Sequence, residues 1–368
     1  MIADYLLLSI YAILGVQLIY FLFFFLRIAF YKSRPSEGIE QPVSVIVCAH
    51  DEEQNLLELI PLLLNQQYHD FEVIIVNDRS NDGTYDLIRE YDIAHAKFKA
   101  VQVEHVPDHI QGKKFGLTMG IKAAKNDCIL LTDADCRPVS DLWIKEMASS
   151  YQSGTSILLG YSPYEKRGGL LNLFIRFETL MTAVQYLSYA LAGLPYMGVG
   201  RNLSYSKALF LEKKGFNQFK HVVGGDDDLF VNSHATRKNT HIAIGKESLV
   251  FSTPKENLKD YYRQKKRHLH VGKYYRGGHR FLLGLYALSH LLFWIAFTIL
   301  AILRYQDLWI WGIPFARWLV MTAVLFPVKR RLGDESKAWE WIIGDLLYLP
   351  YYAIAGVIAL VTKKVRWN

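Results

Sequence analysis

The chain has 368 residues, 51% of them hydrophobic, 14% aromatic and only 21% charged, a make-up that fits neither a disordered chain nor an ordinary soluble enzyme. Its 42 Lys and Arg exceed 35 Asp and Glu by 7, a surplus that suits nucleic acid, anionic lipid or phosphorylated substrates without choosing among them. Three cysteines (Cys48, Cys128, Cys136) are too few for a disulfide scaffold and lack paired metal-ligand spacing, which argues against a zinc module and for reduced thiols on the cytosolic side.

Residues 5–26 form a 22-residue run without a charge. As a helix it would reach roughly 33 Å, enough to span a bilayer core. No Lys or Arg precedes it and no small-residue cleavage site follows, so it reads as an anchor over 1–34, not as a cleaved signal. Arg27, Lys32 and Arg34 follow it, which places the next segment in the cytoplasm.

A segment of different texture, 40–254, comes next. The β-branched run VSVIVC at 43–48 leads into Asp51, which is expected to cap a helix whose first turn holds Glu52 and Glu53. A second run, EVIIVN at 72–77, ends at Asp78 in the turn DRSNDG, and Thr84 opens another helix pattern. Strands are expected again at 100–103 and at 128–132, the latter running into Asp133-Ala-Asp135. Strands alternating with helices imply a doubly wound, mostly parallel α/β sheet, in which ligands bind beyond the carboxyl ends of the strands. No Gly-x-Gly-x-x-Gly turn or Walker lysine loop follows the first strand, so dinucleotide and P-loop readings are poor.

Asp133 and Asp135, two apart on an extended segment, point to the same side and can approach one ion. Mg²⁺ or Mn²⁺ takes such hard oxygen ligands and bridges them to substrate phosphates. A lone Asp-x-Asp also occurs in solvated turns; here its place after a buried-type strand, in line with Asp51 and Asp78, raises its weight. Residues 170–194 carry only Arg176 and Glu178 and read either as a helix on the membrane surface beneath an acceptor or as a buried core helix. The stretch YMGVGRN at 196–202 offers close backbone approach and the forked donors of Arg201, or a plain turn. The acidic GDDD at 225–228 is either a site or an exposed turn.

Residues 255–280 form a basic segment with nine Lys and Arg against Glu256 and Asp260, which accounts for the whole surplus of 7. It leads into a membrane region at 281–368, with expected spans at 281–303 and 308–328. Residues 342–361 contain Asp345 and Pro350 and precede Lys363, Lys364 and Arg366, so a third span there or a re-entrant hairpin bent near Pro350 both fit.

Taken in order, six stretches resemble the family-two inverting nucleotide-sugar glycosyltransferases with the A-type fold, the family of cellulose and hyaluronan synthases and ceramide glucosyltransferase. They are 43–53, VNDRSNDG at 76–83, the Gly112-Lys113 element through Lys125, Asp133-Ala-Asp135, GDDDL at 225–229, and QKKRH at 264–268, which is similar to a Gln-x-x-Arg-Trp element. The resemblance implies an A-type fold with N- and C-terminal transmembrane helices in the cell inner membrane. It also implies roles: Asp51 or Glu53, together with Asp78, on the uridine and ribose, Lys113 near the nucleotide, and Asp135 with Asp133 on a Mg²⁺ or Mn²⁺ and the diphosphate. The acceptor base would be Asp227, with Asp226 open as the alternative, while Gln264, Arg267, Lys266 and Arg201 would contact diphosphate or acceptor. His268 stands in place of the tryptophan, Thr118 in place of a frequent asparagine, and the spans are few for a polymer channel. These departures favour transfer of a hexose or N-acetylhexosamine from a UDP-sugar to a lipid acceptor. A processive polysaccharide synthase, a polyprenyl-phosphate sugar synthase and a catalytically silent nucleotide-sugar-binding scaffold are the alternatives. Nucleic acid as a partner has no supporting motif.

Overall fold

The computed structural model describes residues 2–32, 41–108, 110 and 112–361, the stretch 357–361 by its backbone alone. Arg34, Lys363, Lys364 and Arg366 lie outside the described residues. The chain divides into two units, an α/β unit built from Lys32–Glu165 and Gly193–Lys255, and a helical unit built from residues up to 31, Lys166–Ala192 and the described residues from 256 onward.

Among the described residues the α/β unit holds nine strands: β1 (Val43–Ala49), β2 (Phe71–Asp78), β3 (Phe98–Val103), β4 (Cys128–Asp133), β5 (Cys136–Pro138), β6 (Ile157–Leu159), β7 (Leu203–Ser206), β8 (Thr240–Ile242) and β9 (Val250–Ser252). Seven form one sheet in the order β3-β2-β1-β4-β7-β6-β8, in which β7 runs against both neighbours and every other pairing is parallel. Strands β1 and β2 are near-continuous buried runs because both faces of the sheet are covered. On one face Val45, Val47, Val73 and Ile75 join Leu56, Leu59, Ile60 and Leu63 of the helix Glu53–Leu64, with Trp143 and Ile144. On the other, Ile46 and Val76 lie so close to the helix Gly112–Ala123 that a Cβ at Gly120 would fall 2.8 Å from each. The doubly wound, mostly parallel sheet is therefore present. Its register sets Cys48 beside Asp133, Ala49 beside Asn77 and Asp78 beside Val103, so the ends of β1 to β4 deliver their loops to one edge.

One local expectation is corrected. Asp51 does not cap a helix: its φ is +56°, the helix begins at Glu53, and Glu52 precedes it without a side-chain cap. Aspartate tolerates the left-handed region, and here partners from the loop after β2 hold it there, as set out below.

In the helical unit, Ile2–Phe30 is one 29-residue helix with a π-helical stretch at Tyr20–Phe25. With Gly277–Leu303 and Leu308–Leu332 it makes, among the described residues, three helices long and apolar enough to cross a membrane, by length and composition. The helix Leu170–Leu191 takes the buried of its two expected forms, with Phe174, Phe177, Leu180, Val184 and Tyr189 all covered. Helix Ala338–Val361 runs unbroken through Pro350. Proline removes one backbone donor and crowds the carbonyl four residues back. Aromatic packing on either side offsets that here, with Phe177 5.1 Å from Tyr348 and Phe174 5.4 Å from Tyr351.

Two features stand out in this unit. Arg317 and Asp345, buried, pair through both oxygens at 2.6 and 2.9 Å, and Arg317 also reaches Gln17 at 2.7 Å and His290 at 3.0 Å. Trp318 adds a bond to Asp345 at 3.0 Å, so one polar cluster joins four helices. An apolar cavity of about 420 Å³ opens between helices Leu170–Leu191, Leu258–Gly272 and Ala338–Val361, lined by Phe174, Tyr261, Leu269, Tyr351 and Ile354 among others, with Lys265 the one charged side chain among the described lining residues.

Candidate functional site

The loops after β1 and β2 are clasped together. Asp51 donates its backbone N–H to Ser80 Oγ at 3.0 Å, and its carboxylate accepts from Asn81 N–H at 2.6 Å. Glu53 N–H donates to Asp82 at 3.1 Å while its own carboxylate accepts from Gly83 N–H at 3.2 Å. These reciprocal bonds leave a shaped rim at the strand ends. Asp78, buried at the end of β2, accepts from Arg79 Nε at 2.8 Å. Opposite it lies Gly112, where a Cβ would fall 2.8 Å from Asp78 Oδ2 and 2.7 Å from Arg79 Nη2. The position tolerates no side chain without a shift of that rim.

Asp133 ends β4, and the ligand atoms of Asp133, Asp135 and Cys136 all lie within 4.8 Å of one another. Burial opposes ionisation of Asp133, but the Lys113 ammonium at 2.8 Å outweighs it and holds the pKa below the usual aspartate value. Burial and the neighbouring Asp133 push Asp135 the other way. Cys136 is a weak third ligand. Burial, then Asp135 and Asp133, drive its thiol far upward, and it donates to Asp135 at 3.6 Å. Two carboxylates with room beside them suit a hard divalent cation that keeps positions for phosphate oxygens. The guanidinium of Arg201 is felt at both aspartates. It stacks over Tyr164 at 4.3 Å and donates to Ser162 O at 3.2 Å, while its buried Nη1 has no hydrogen-bond partner among the described residues. An unpaired buried donor beside a cation-type pair suits an anionic oxygen.

The second acidic group meets the first through Lys113. Its ammonium lies 2.8 Å from Asp133 and 3.6 Å from Asp226. Burial works against that charge, but Asp133 and Asp226 hold its pKa well above the ordinary lysine value. Asp227 caps the helix Asp228–His234, accepting from Asp228 N–H at 2.7 Å and from Gly200 N–H at 2.8 Å. Burial first and Asp226 second push its pKa up to about 6, the two backbone donors opposing them. Two motifs about 90 residues apart in sequence thus share one lysine.

The aspartates, Lys113, Arg201 and Glu53 all belong to the α/β unit. Gln264, Lys266 and Arg267 sit together on the helix Leu258–Gly272 of the helical unit, where Asn257 caps the helix by accepting from Asp260 N–H at 3.0 Å. Sequence reasoning missed three neighbours. Cys136 closes the Asp133 group, Tyr205 is buried where Asp226 and Asp227 raise its pKa after burial does, and Lys114 lies beneath the acidic loop. The doublet of lysines at 113 and 114 was the available signal for the last; nothing in the sequence said which one faces inward.

The fold agrees with the comparisons. The pattern described as "Glycosyl transferase family 2" matches residues 44–188, and "Glycosyl transferase family group 2" matches residues 128–328, more than half of the chain. The chain belongs to glycosyl transferase family group 2. Among relatives, it is 25% identical over 237 residues to the probable glycosyltransferase YdaM of Bacillus subtilis (strain 168), covering 61% of this chain and 54% of that one. It is also 25% identical over 213 residues to 4,4'-diaponeurosporenoate glycosyltransferase of Staphylococcus haemolyticus (strain JCSC1435), covering 54% of this chain and 53% of that one. The chain thus spans about half the length of these curated relatives. The solved structure of mannosyltransferase PcManGT from Pyrobaculum calidifontis, in complex with GDP-Man and Mn²⁺, superposes with a TM-score of 0.63 at 18% identity, covering 98% of this chain and all of that one. That likeness establishes the fold.

Proposed function

We propose that the chain is a membrane-embedded, metal-dependent, inverting glycosyltransferase that moves a hexose or N-acetylhexosamine from a UDP-sugar to a lipid acceptor at the cytoplasmic face. The observation that carries this reading is Lys113, which ties the cation-type pair Asp133 and Asp135 to Asp226, next to a carboxylate poised near pH 6. One group can stabilise a departing diphosphate while the other takes a proton, the two demands of displacement at an anomeric carbon.

In this reading Asp51, Glu53 and Asp78 hold the uridine and ribose at the rim of β1 and β2. Asp133 and Asp135 hold Mg²⁺ or Mn²⁺, which supplies charge for the diphosphate leaving group. Arg201 offers its free Nη1 to a phosphate oxygen. Asp227 accepts the proton of the acceptor hydroxyl as its oxygen forms the new bond to the anomeric carbon. The bond from that carbon to the diphosphate breaks, UDP leaves, and a single displacement inverts the centre. Gln264, Lys266 and Arg267 contact diphosphate or acceptor. Lipid as acceptor class is supported by the three span-capable helices and by the apolar cavity beside the helix that carries these three residues.

The test is transfer by the purified full chain in lipid nanodiscs, supplied with UDP-glucose, UDP-N-acetylglucosamine and GDP-mannose in turn and read by nucleotide release and lipid mass spectrometry. The expected result is UDP release with a glycosylated lipid, lost on chelation, restored by Mn²⁺ or Mg²⁺, and abolished by Asp135→Ala or Asp227→Asn. GDP release alone would overturn the donor assignment. A sugar polymer as the product would overturn the acceptor class, and nucleotide binding without turnover of any donor would overturn the enzyme reading.

A further inference from the structure

Lys114 is 1% exposed, a cation placed inside the α/β unit whose hydrogen-bond partners among the described residues are main-chain carbonyls. An ammonium group has three donors and no acceptor. Here they are directed to three main-chain carbonyls of one loop: Phe219 O at 3.1 Å, Val222 O and Gly224 O at 2.6 Å. The Phe219 ring lies beneath the same ammonium, 5.6 Å away. Burial lowers the lysine's pKa, and Asp226, Asp228 and Asp227 oppose that, so the acidic loop itself helps keep its anchor charged.

The loop so held leads directly to the acidic motif. Gly224 and Gly225 both have φ +79°, a double left-handed bend that only glycine makes without strain, and Asp226 and Asp227 follow at once. At 225 a Cβ would sit 2.6 Å from Leu229 Cδ1, so any larger residue there would displace that buried side chain as well as strain the backbone. Consecutive positions on a helix point about 100° apart. Lys113 and Lys114, in the first turn of the helix Gly112–Ala123, therefore diverge, Lys113 reaching the Asp226 side chain and Lys114 reaching the backbone before it.

We propose that Lys114 is a positioning residue for the transfer reaction: by saturating three carbonyls of the loop 219–224 it fixes where Asp226 and Asp227 stand relative to Asp133 and Lys113. The inference rests on the reading of Asp227 as the acceptor base. A base displaced by about 1 Å costs on the order of 100-fold in rate without loss of binding. Among the described residues the hydrogen bonds of Asp51, Glu53 and Asp78 run to Ser80, Asn81, Asp82, Gly83, His50 and Arg79, outside the anchored loop, so the grip of that rim on the donor is expected to survive.

The test compares Lys114→Met, which removes all three donors, with Lys114→Gln, which keeps two, in the full chain. Anchoring predicts kcat falling roughly 10-fold in Lys114→Gln and about 100-fold in Lys114→Met, with donor KM and UDP affinity held within about twofold. It also predicts faster amide hydrogen exchange confined to residues 219–227. A kcat within threefold of the parent in Lys114→Met, or a loss of kcat matched by an equal rise in donor KM, overturns the positioning role. Should Lys114→Met not fold, the Gln variant carries the same comparison. Hydrogen exchange needs no turnover, so unchanged protection over 219–227 overturns the anchor itself. Selective loss of protection in a protein that transfers no sugar would uphold the anchor while the reading of Asp227 fails.

Discussion

Asp227 accepts two backbone N–H bonds, from Gly200 and Asp228, and such donors ordinarily favour a carboxylate. Burial and the adjacent Asp226 nevertheless raise its pKa to about 6. As a base it must be ionised, so kcat/KM is expected to rise with pH and level off above about 6, and Asp227→Asn to lower kcat by roughly 10²–10⁴-fold while UDP still binds. The same shift has an opposite consequence for stability. The folded-state value lies above the unfolded value of 3.8, so the folded chain binds the proton more tightly. That stabilisation is complete below about pH 4 and is lost as pH rises through about 6. Its size is on the order of 1–3 kcal/mol. Asp227→Asn gives up one of the two accepted N–H bonds at any pH, so it is expected to shift the thermal midpoint more favourably at pH 7.5 than at pH 4, read by a fluorescence melt in detergent. An equal shift at both values would mean the carboxylate carries no such strain.

At the scale of the element, the helix Gly112–Ala123 begins against the side-chain ends of Asp78 and Arg79, so a methyl group on its first residue would displace them. In Gly112→Ala the new Cβ would meet Asp78 and Arg79 below 3 Å. We expect at least 10-fold weaker UDP binding by calorimetry, a loss of about 1.4 kcal/mol or more, with the fold intact. The strands and the edge that collects Asp51, Asp78 and Asp133 were legible in sequence, since β-branched runs buried on both faces leave a local signature. Asp51 itself was misread because capping is a local rule, and a left-handed backbone held by Ser80 and Asn81 is not local. Chain order placed 170–194 within the cytosolic segment, whereas the structure groups Lys166–Ala192 with the apolar helices. The cavity between helices was equally hidden, because its lining comes from three distant stretches. If it takes the chain of a lipid acceptor, filling it with Ile354→Trp is expected to raise the acceptor KM at least fivefold and leave the donor KM unchanged, measured with a detergent-solubilised lipid. A parallel rise in both constants would remove the cavity from the acceptor site.

Over the whole molecule, the chain passes from helical unit to α/β unit and back twice, so each unit is assembled from segments far apart in sequence. The basic surplus of 255–280 falls almost entirely in the helical unit, which explains why a chain with net charge +7 carries its candidate site among acids. That unit needs ties between its segments, and the cluster of Arg317, Asp345, Gln17, His290 and Trp318 supplies one. From the sequence, Arg317 and Asp345 are two separate blemishes in apolar runs; the fold makes them a bidentate pair. Charges withdrawn from water are expensive singly and compensated in a pair. Arg317→Met alone would strand the Asp345 carboxylate, and should cost about 3–5 kcal/mol. Replacing both, as Arg317→Met with Asp345→Leu, removes the stranded charge and should recover most of that loss. The measurement is a thermal unfolding series of the two single variants and the double variant in one detergent, treated as a double-mutant cycle. If the pair binds the helices as the geometry indicates, the double variant melts above either single one. A double variant that loses the sum of both single losses would show that the two residues act independently.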